Sequence, residues 1–367
     1  MTSGRLHGEV VYLYAFDIAY EMRREPVSTL LGQPVVPYAV DTGKRNPKQL
    51  SFYRPQMARL PPVERRGPHG VVRIERTIKL LPVGALSVTV RVPFAVDRFE
   101  DLIAYHDLMI GDRSLTEEVR ALVEEARQEL RPMLISPNAE LGDEEAYTIF
   151  VLANPPTGEG GHFRSEPWLR EQRRAIAALL TQEDDPVHLS DQEVEESTAR
   201  YLTYYDHDLV VVDWDAALVI ESPESSEQSL FIMELANVQL AELEAYDHIL
   251  DQAVDRTYRD VMTPAWFTVR RSLHDLRELR IDLSRLSDEL ENISKFFGDW
   301  HLARLYAAIS DRFHLRDWHR SIDGKLRTID EMYQLAKQDV HGRWMLVLEV
   351  SIVLLFVVDI AFIFTGK

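Results

Sequence analysis

Apolar positions follow a period of two in the first part of the chain and a spacing of three to four in the last. From Val71 to Leu80, Val72, Ile74, Ile78 and Leu80 alternate with Arg73, Glu75, Thr77 and Lys79. From Leu86 to Val92, Leu86, Val88, Val90 and Val92 alternate with Ser87, Thr89 and Arg91. Such alternation marks strands with one face on a core, and Pro82 and Gly84 between the two runs predict a half-exposed antiparallel hairpin. Val10 to Ala15 and Thr148 to Leu152 read as further strands, the second closed by Asn154, Pro155 and Pro156. Leu209 to Val212 and Ala217 to Ile220 form another hairpin around Asp213, Trp214 and Asp215. Helices are expected over Thr116 to Leu130, Ser165 to Leu180 and Asp191 to Tyr204, the first capped by Ser114 and ended by Pro132. Strands in antiparallel hairpins interspersed with helices make residues 1–222 an α+β domain.

Residues 223–343 read as a helical stalk. Met233, Ala236, Leu240, Leu243, Leu250 and Val254 hold a helical stripe over Ser226 to Met262, with Asp247 interrupting it. A second helix runs from Pro264 to Phe297, with Val269, Leu276, Leu283, Leu290 and Phe297 seven apart and Leu279, Leu286 and Ile293 three residues on. That heptad seam needs a partner helix, and an antiparallel hairpin within the chain and a seam between two subunits both satisfy it. Gly298 and Asp299 break the helix, and Leu302, Leu305 and Ile309 begin the next stripe. A last helix carries Leu315, Trp318, Ile322, Ile329 and Met332 toward Trp344.

Trp344 to Phe364 forms the final pattern, residues 344–364, with fifteen Leu, Ile, Val or Phe in 21 positions. That length suits a transmembrane helix, and insertion of those side chains contributes about -4.5 to -9 kcal/mol. Glu349 and Asp359 oppose it by up to about 3 kcal/mol each at the bilayer centre. On this reading the chain is a tail-anchored, single-pass membrane protein. Lys325, Arg327, Lys337 and Arg343 before the span put the N-terminal domain in the cytoplasm. The two acids snorkel or sit protonated, face a partner helix in an oligomer, or line an ion pathway. No signal peptide is expected at the N-terminus.

Composition narrows the chemistry. The 367 residues carry a formal charge of -19, which argues against a nucleic-acid partner. There is no cysteine, so disulfides, thiolate metal sites and Cys nucleophiles are excluded. Between Thr42 and Val96, however, eleven basic residues stand against Glu64 and Glu75, with Phe52 and Tyr53 among them. Pairing with the acidic helices explains such a segment, and so does a docking face for an acidic protein, a lipid headgroup or RNA, for which Arg65, Arg66, Arg73 and Arg76 are the candidates.

Other motifs are weaker. Thr157 to His162 is glycine-rich but lacks phosphate-loop spacing and contains Glu159. Asp206, His207 and Asp208, with Asp213 and Asp215 near, offer ligands of the type that divalent metals take, although acids at turns usually bond their own backbone. Neither Glu244 with His248 nor His314 with His319 has a di-iron spacing. No catalytic residue and no cofactor is implied.

The Asp208–Glu221 hairpin, the Leu276–Phe297 helix, the break at Phe296 to Trp300, the Leu315–Met332 helix and a terminal span holding Glu349 resemble the required-for-meiotic-nuclear-division family, a domain of unknown function anchored by one C-terminal helix. The resemblance implies membrane attachment and no known catalytic residue. The resulting expectation is a non-enzymatic scaffold or tether that holds a protein partner at the bilayer and self-associates. The alternatives are a metal-dependent hydrolase using His207 and nearby aspartates, and an ion channel similar to the CorA magnesium channels, whose Gly-Met-Asn loop and second span are missing here.

Overall fold

The computed structural model describes residues 5–23, 25–38, 55–153, 155, 163–262 and 300–365. Chain order begins with β1 (Leu6–Asp17), β2 (Ala19–Met22), β3 (Thr29–Leu30), β4 (Gln33–Pro37), β5 (Gln56–Gly67), β6 (Gly70–Leu80) and β7 (Ala85–Val96). A 3-10 helix, Phe99–Tyr105, leads to β8 (Met109–Ile110), β9 (Arg113–Ser114) and α1 (Leu115–Leu130). Then come β10 (Leu134–Pro137), β11 (Glu145–Leu152), α2 (Ser165–Leu180), α3 (Asp191–Ser197), β12 (Tyr201–Leu202), β13 (Leu209–Val212) and β14 (Ala216–Ile220). The remaining helices are α4 (Pro223–Met262), α5 (Trp300–Arg312) and α6 (Leu315–Thr365). The heptad helix expected over Pro264 to Phe297 and the glycine-rich Thr157 to His162 lie outside the described residues.

Ten strands join one sheet in the order β12-β13-β14-β11-β1-β7-β6-β5-β4-β3. β11 and β14 run parallel, while β1 pairs antiparallel with both β7 and β11 at its centre. This corrects the expected fold class. The domain is a mixed α/β architecture built on one large sheet that includes a parallel pair, not the antiparallel-sheet α+β domain expected. Gly84 turns β6 into β7 with φ +92°, and a Cβ there would meet the Ala19 carbonyl oxygen at 1.9 Å, so only glycine fits.

Both faces of the sheet are covered. On one, Val10, Tyr12, Tyr14 and Phe16 of β1 and Val88, Val90 and Val92 of β7 pack in one cluster with Val119, Val123 and Ala126 of α1 and Ile176 and Leu180 of α2. α1 starts on a capping box: Ser114 Oγ accepts from the Glu117 amide at 3.1 Å, and the Ser114 amide donates to Glu117 Oε2 at 2.9 Å. Ser114→Ala is expected to lower stability by about 1 kcal/mol, read from the midpoint of thermal unfolding.

The first half of α4 crosses the other face, and it covers the polar positions of the β6–β7 hairpin nearest the turn, which are therefore not solvent-facing. Lys79 and Ser87, two of its polar positions, are 5% and 1% exposed. Lys79 Nζ pairs with Glu234, and Ser87 Oγ donates to Glu234 Oε1 at 2.6 Å. Asn237 Nδ2 donates to the Glu145 carbonyl at 2.9 Å, and Tyr147 meets Phe313 edge to face at 5.1 Å.

The described chain divides into two compact units. The first holds the sheet, α1 to α3, the first half of α4, and α5. The second holds the end of α4 and nearly all of α6, and within it Lys325 Nζ bridges Asp247 at 2.8 Å and Asp251 at 2.5 Å. Asp247, which interrupts the apolar stripe in the sequence, is thus an ion-pair partner.

Trp344 to Phe364 lies in α6, a helix of 51 residues. Among the described residues, no helix is long and apolar enough to cross a membrane. The transmembrane helix, the tail anchor, the single-pass membrane localisation and the bilayer contact through Trp344 to Phe364 are corrected on that finding. The physical counterweight is in the run itself, where Glu349 and Asp359 would each oppose burial in hydrocarbon. Glu349 is exposed on the helix surface.

Candidate functional site

Two sets of residues stand out in the described part of the basic segment, while Arg59, exposed on β5 opposite Thr77, belongs to neither. Lys79 and Arg91 face α4. Arg91 makes a two-pronged contact with Glu227, Nη1 to Oε1 at 2.6 Å and Nη2 to Oε2 at 2.8 Å, and also reaches Glu9 at 3.2 Å. Burial pushes the Glu9 carboxyl up, and Arg91 opposes the rise. The Lys79 ammonium, besides pairing Glu234, sits 4.0 Å from the centre of the Tyr38 ring. These two cations therefore neutralise α4 from beneath. Glu227 and Glu234 are seven residues apart on one helix face, a spacing visible in the sequence.

Arg65, Arg66 and Arg73 form the second set and are exposed. They lie on the outer half of the β5–β6 hairpin, where Arg65 pairs in register with Val72, Arg66 with Val71 and Glu64 with Arg73. β7 pairs with β6 only from Glu75 to Leu80, and β4 pairs with β5 only from Gln56 to Ala58, so this half is a two-stranded extension. Pro61 and Pro62 fall where the register shifts between Leu60 and Val63, a place that tolerates missing donors. Arg76, the fourth candidate, stands apart from the other three. It is half-buried at the hairpin base, Nη2 donating to the Pro61 carbonyl at 3.4 Å. Lys44, Arg45, Lys48 and Arg54 lie outside the described residues.

The acid and histidine cluster builds a turn. Both Asp208 carboxylate oxygens accept backbone amides, from Tyr204 at 2.7 Å and Tyr205 at 3.0 Å. The Asp206 carbonyl accepts the Ser165 amide at 2.9 Å, and His207 stacks on Tyr205 with ring centres 5.4 Å apart. Asp213 lies 3.6 Å from Arg312, which opposes the rise that burial imposes on its carboxyl. Among the described residues, no group of three or more His, Cys, Asp or Glu could hold a metal.

Beside this turn the first unit contains a polar cavity of about 180 Å³. Tyr204, Tyr205 and Asp208 line it from the loop between β12 and β13, Glu221 from the end of β14, Ser225, Gln228 and Ser229 from the start of α4, and His301 and Leu302 from α5. The Glu221 side chain is 2% exposed, accepts from Ser229 Oγ at 2.7 Å and lies 3.5 Å from His301 Nε2. Glu221 and His301 are eighty positions apart in the chain, so no local motif announces the pair.

Sequence comparison gives the family but no activity. The family model described as "Uncharacterized protein MJ0711, N-terminal domain" matches residues 7–227. A protein of Methanocaldococcus jannaschii, itself described as uncharacterized protein MJ0711, is 23% identical over 217 residues. The match covers 59% of this chain and 65% of that relative. No solved structure matches. The resemblance of the C-terminal half to the required-for-meiotic-nuclear-division family is overturned, because the matched region is the N-terminal sheet domain. Amphipathic helices and short hairpins recur in unrelated folds, so a pattern of them does not specify a family. From β1 to the first turn of α4, and so for more than half its length, the chain belongs to the MJ0711 N-terminal domain family.

Proposed function

We propose that this protein is a binding scaffold that docks an acidic protein partner on the outer half of the β5–β6 hairpin. One observation carries the reading: α4 neutralises Lys79 and Arg91, whereas Arg65, Arg66 and Arg73 stay exposed on a two-stranded extension of a protein whose overall charge is -19. Internal pairing thus accounts for one part of the basic segment and leaves a concentrated remainder. The Arg73 side chain is 65% exposed, and its contact with Glu75 is 3.9 Å long. Exposed guanidinium forks suit side-chain carboxylates, and their attraction is screened by salt. The metal-dependent hydrolase reading lacks such support, since both carboxylate oxygens of Asp208 are engaged by its own turn. The channel reading depended on the membrane span and falls with it.

A fluorescein-labelled peptide of ten glutamates is a direct probe. Its fluorescence anisotropy is expected to saturate with wild-type protein at low salt and to weaken as salt rises. Combining Arg65→Glu, Arg66→Glu and Arg73→Glu is expected to weaken binding by at least about tenfold without moving the melting temperature, because exposed arginines contribute little to folding. Arg76 is left in place, as its guanidinium is half-buried in the hairpin base. Unchanged binding by the triple variant would refute the docking face.

A further inference from the structure

The cavity beside the β12–β13 loop is independent of the basic hairpin. Its volume, about 180 Å³, holds a molecule of roughly six to eight non-hydrogen atoms, or about six waters at bulk density. Its lining contains no lysine or arginine but two carboxylates, Glu221 and Asp208. The Glu221 side chain is almost wholly buried. Ser229 occupies one site on Oε2, at 2.7 Å, and His301 Nε2 lies 3.5 Å from Oε1. A carboxylate offers about four lone-pair sites, so Glu221 retains acceptor capacity toward the cavity. Asp208 braces its own turn through the Tyr204 and Tyr205 amides and adds a second carboxylate to the wall.

The aromatic wall adds a second feature. Tyr204 packs edge-on to Tyr205, with ring centres 4.7 Å apart, and to His301, at 5.5 Å. Tyr204 and Tyr205 are 61% and 59% exposed, so they stand at the opening. A buried carboxylate behind tyrosine rings favours a cation that carries N–H donors. Anions meet two like charges, and a bare metal ion lacks a ligand set among the described residues.

We infer that this cavity binds the ammonium group of a small organic amine, with Glu221 as its counter-ion and Tyr204 and Tyr205 as its wall. Three probes of similar length separate charge from shape: butane-1,4-diamine, butane-1,4-diol and succinate. Calorimetry with the full chain is expected to show saturable one-to-one binding of the diamine. The diol and succinate are expected to bind at least about tenfold more weakly, the scale of one lost charge-assisted contact. Glu221→Gln is expected to lose at least about tenfold in diamine affinity, and Tyr205→Ala about threefold. Tyr205 is exposed, so its variant tests the site even if Glu221→Gln fails to fold. No saturable binding by wild type, equal binding of diol and diamine, or diamine affinity unchanged in Tyr205→Ala would each overturn the assignment. Non-specific attraction to an acidic protein would survive both substitutions and so counts among the overturning results.

Discussion

Glu234→Ala is expected to lower the unfolding free energy by about 3–5 kcal/mol, because it strands a buried cation. Lys79 is 5% exposed and Glu234 2%, and the two are in direct contact. Ser87 Oγ completes the carboxylate at 2.6 Å, and the Tyr38 ring covers the ammonium at 4.0 Å. Truncation at position 234 removes the charge partner, leaves Ser87 without its acceptor and opens space under α4. Exposed pairs in this protein are a useful contrast: Arg320 and Asp317, 79% and 60% exposed, make a bond of 2.8 Å whose loss costs less than about 1 kcal/mol. A double replacement, Lys79→Met with Glu234→Leu, is expected to recover most of the loss, since apolar residues of similar volume need no compensation. Urea unfolding of the wild type and the two variants measures both. A loss below about 1 kcal/mol for Glu234→Ala would mean that water reaches Lys79 and that α4 is not seated on the sheet as described.

The same pair explains why part of the fold was legible in the sequence and part was not. α1 with its Ser114 cap and α2 follow directly from apolar spacing and end signals. So do the β13–β14 hairpin and the apolar stripe of α4, where Met233, Ala236 and Leu243 are fully buried. The ten-stranded sheet was hidden because Lys79 and Ser87 mimic a solvent-facing row while facing a buried carboxylate. β5 was hidden by Pro61 and Pro62, which the strand accommodates at its register shift. The helix expected from Asp191 to Tyr204 stops at Ser197, where the Thr198 hydroxyl turns back onto the Val194 carbonyl at 2.6 Å and the chain enters β12. The apolar run at Trp344 to Phe364 reads as a membrane span because fifteen large apolar residues outweigh two acids in any additive sum. As for the sites, the side chains of Asp206, His207 and Asp208 offer ligand chemistry that is visible in the sequence. Asp208 does line a cavity, but as the brace of a turn, while Glu221 and His301 meet only through the tertiary fold.

A second large effect is expected from pH. Burial pushes the Asp17 carboxyl from its ordinary 3.8 up to about 6, against the pull of the Asn138 amide, which donates to Oδ2 at 2.9 Å. Glu242, 4% exposed and with Oε1 lacking a hydrogen-bond partner among the described residues, is raised by burial and then by the Asp17 charge. Glu145 is pushed up to about 9, first by burial and then by the neighbouring Glu244. A carboxyl whose folded pKa is raised binds its proton more tightly in the folded state than in the unfolded one. Its cost to stability is absent below the unfolded pKa, grows as pH rises toward the folded pKa and is complete above it. For Asp17 that window is 3.8 to about 6, and the full cost is up to roughly 3 kcal/mol at about 1.4 kcal/mol per unit. Asp17→Asn keeps an oxygen for Asn138 and removes the charge. It is therefore expected to gain up to roughly 3 kcal/mol over wild type at pH 8 and about half that at pH 5. Glu242→Gln acts in the same direction, and because the Asp17 charge is one cause of the Glu242 shift, the two gains combine to less than their sum. Below pH 6.5 the trend meets an opposing one: burial lowers the pKa of His106, whose Nε2 lies 2.6 Å from the Leu179 carbonyl, so its protonation works against the fold. Urea titrations at pH 5, 6, 7 and 8 resolve the terms, and an Asp17→Asn gain that does not grow from pH 5 to pH 8 would show that the carboxyl is solvated rather than buried.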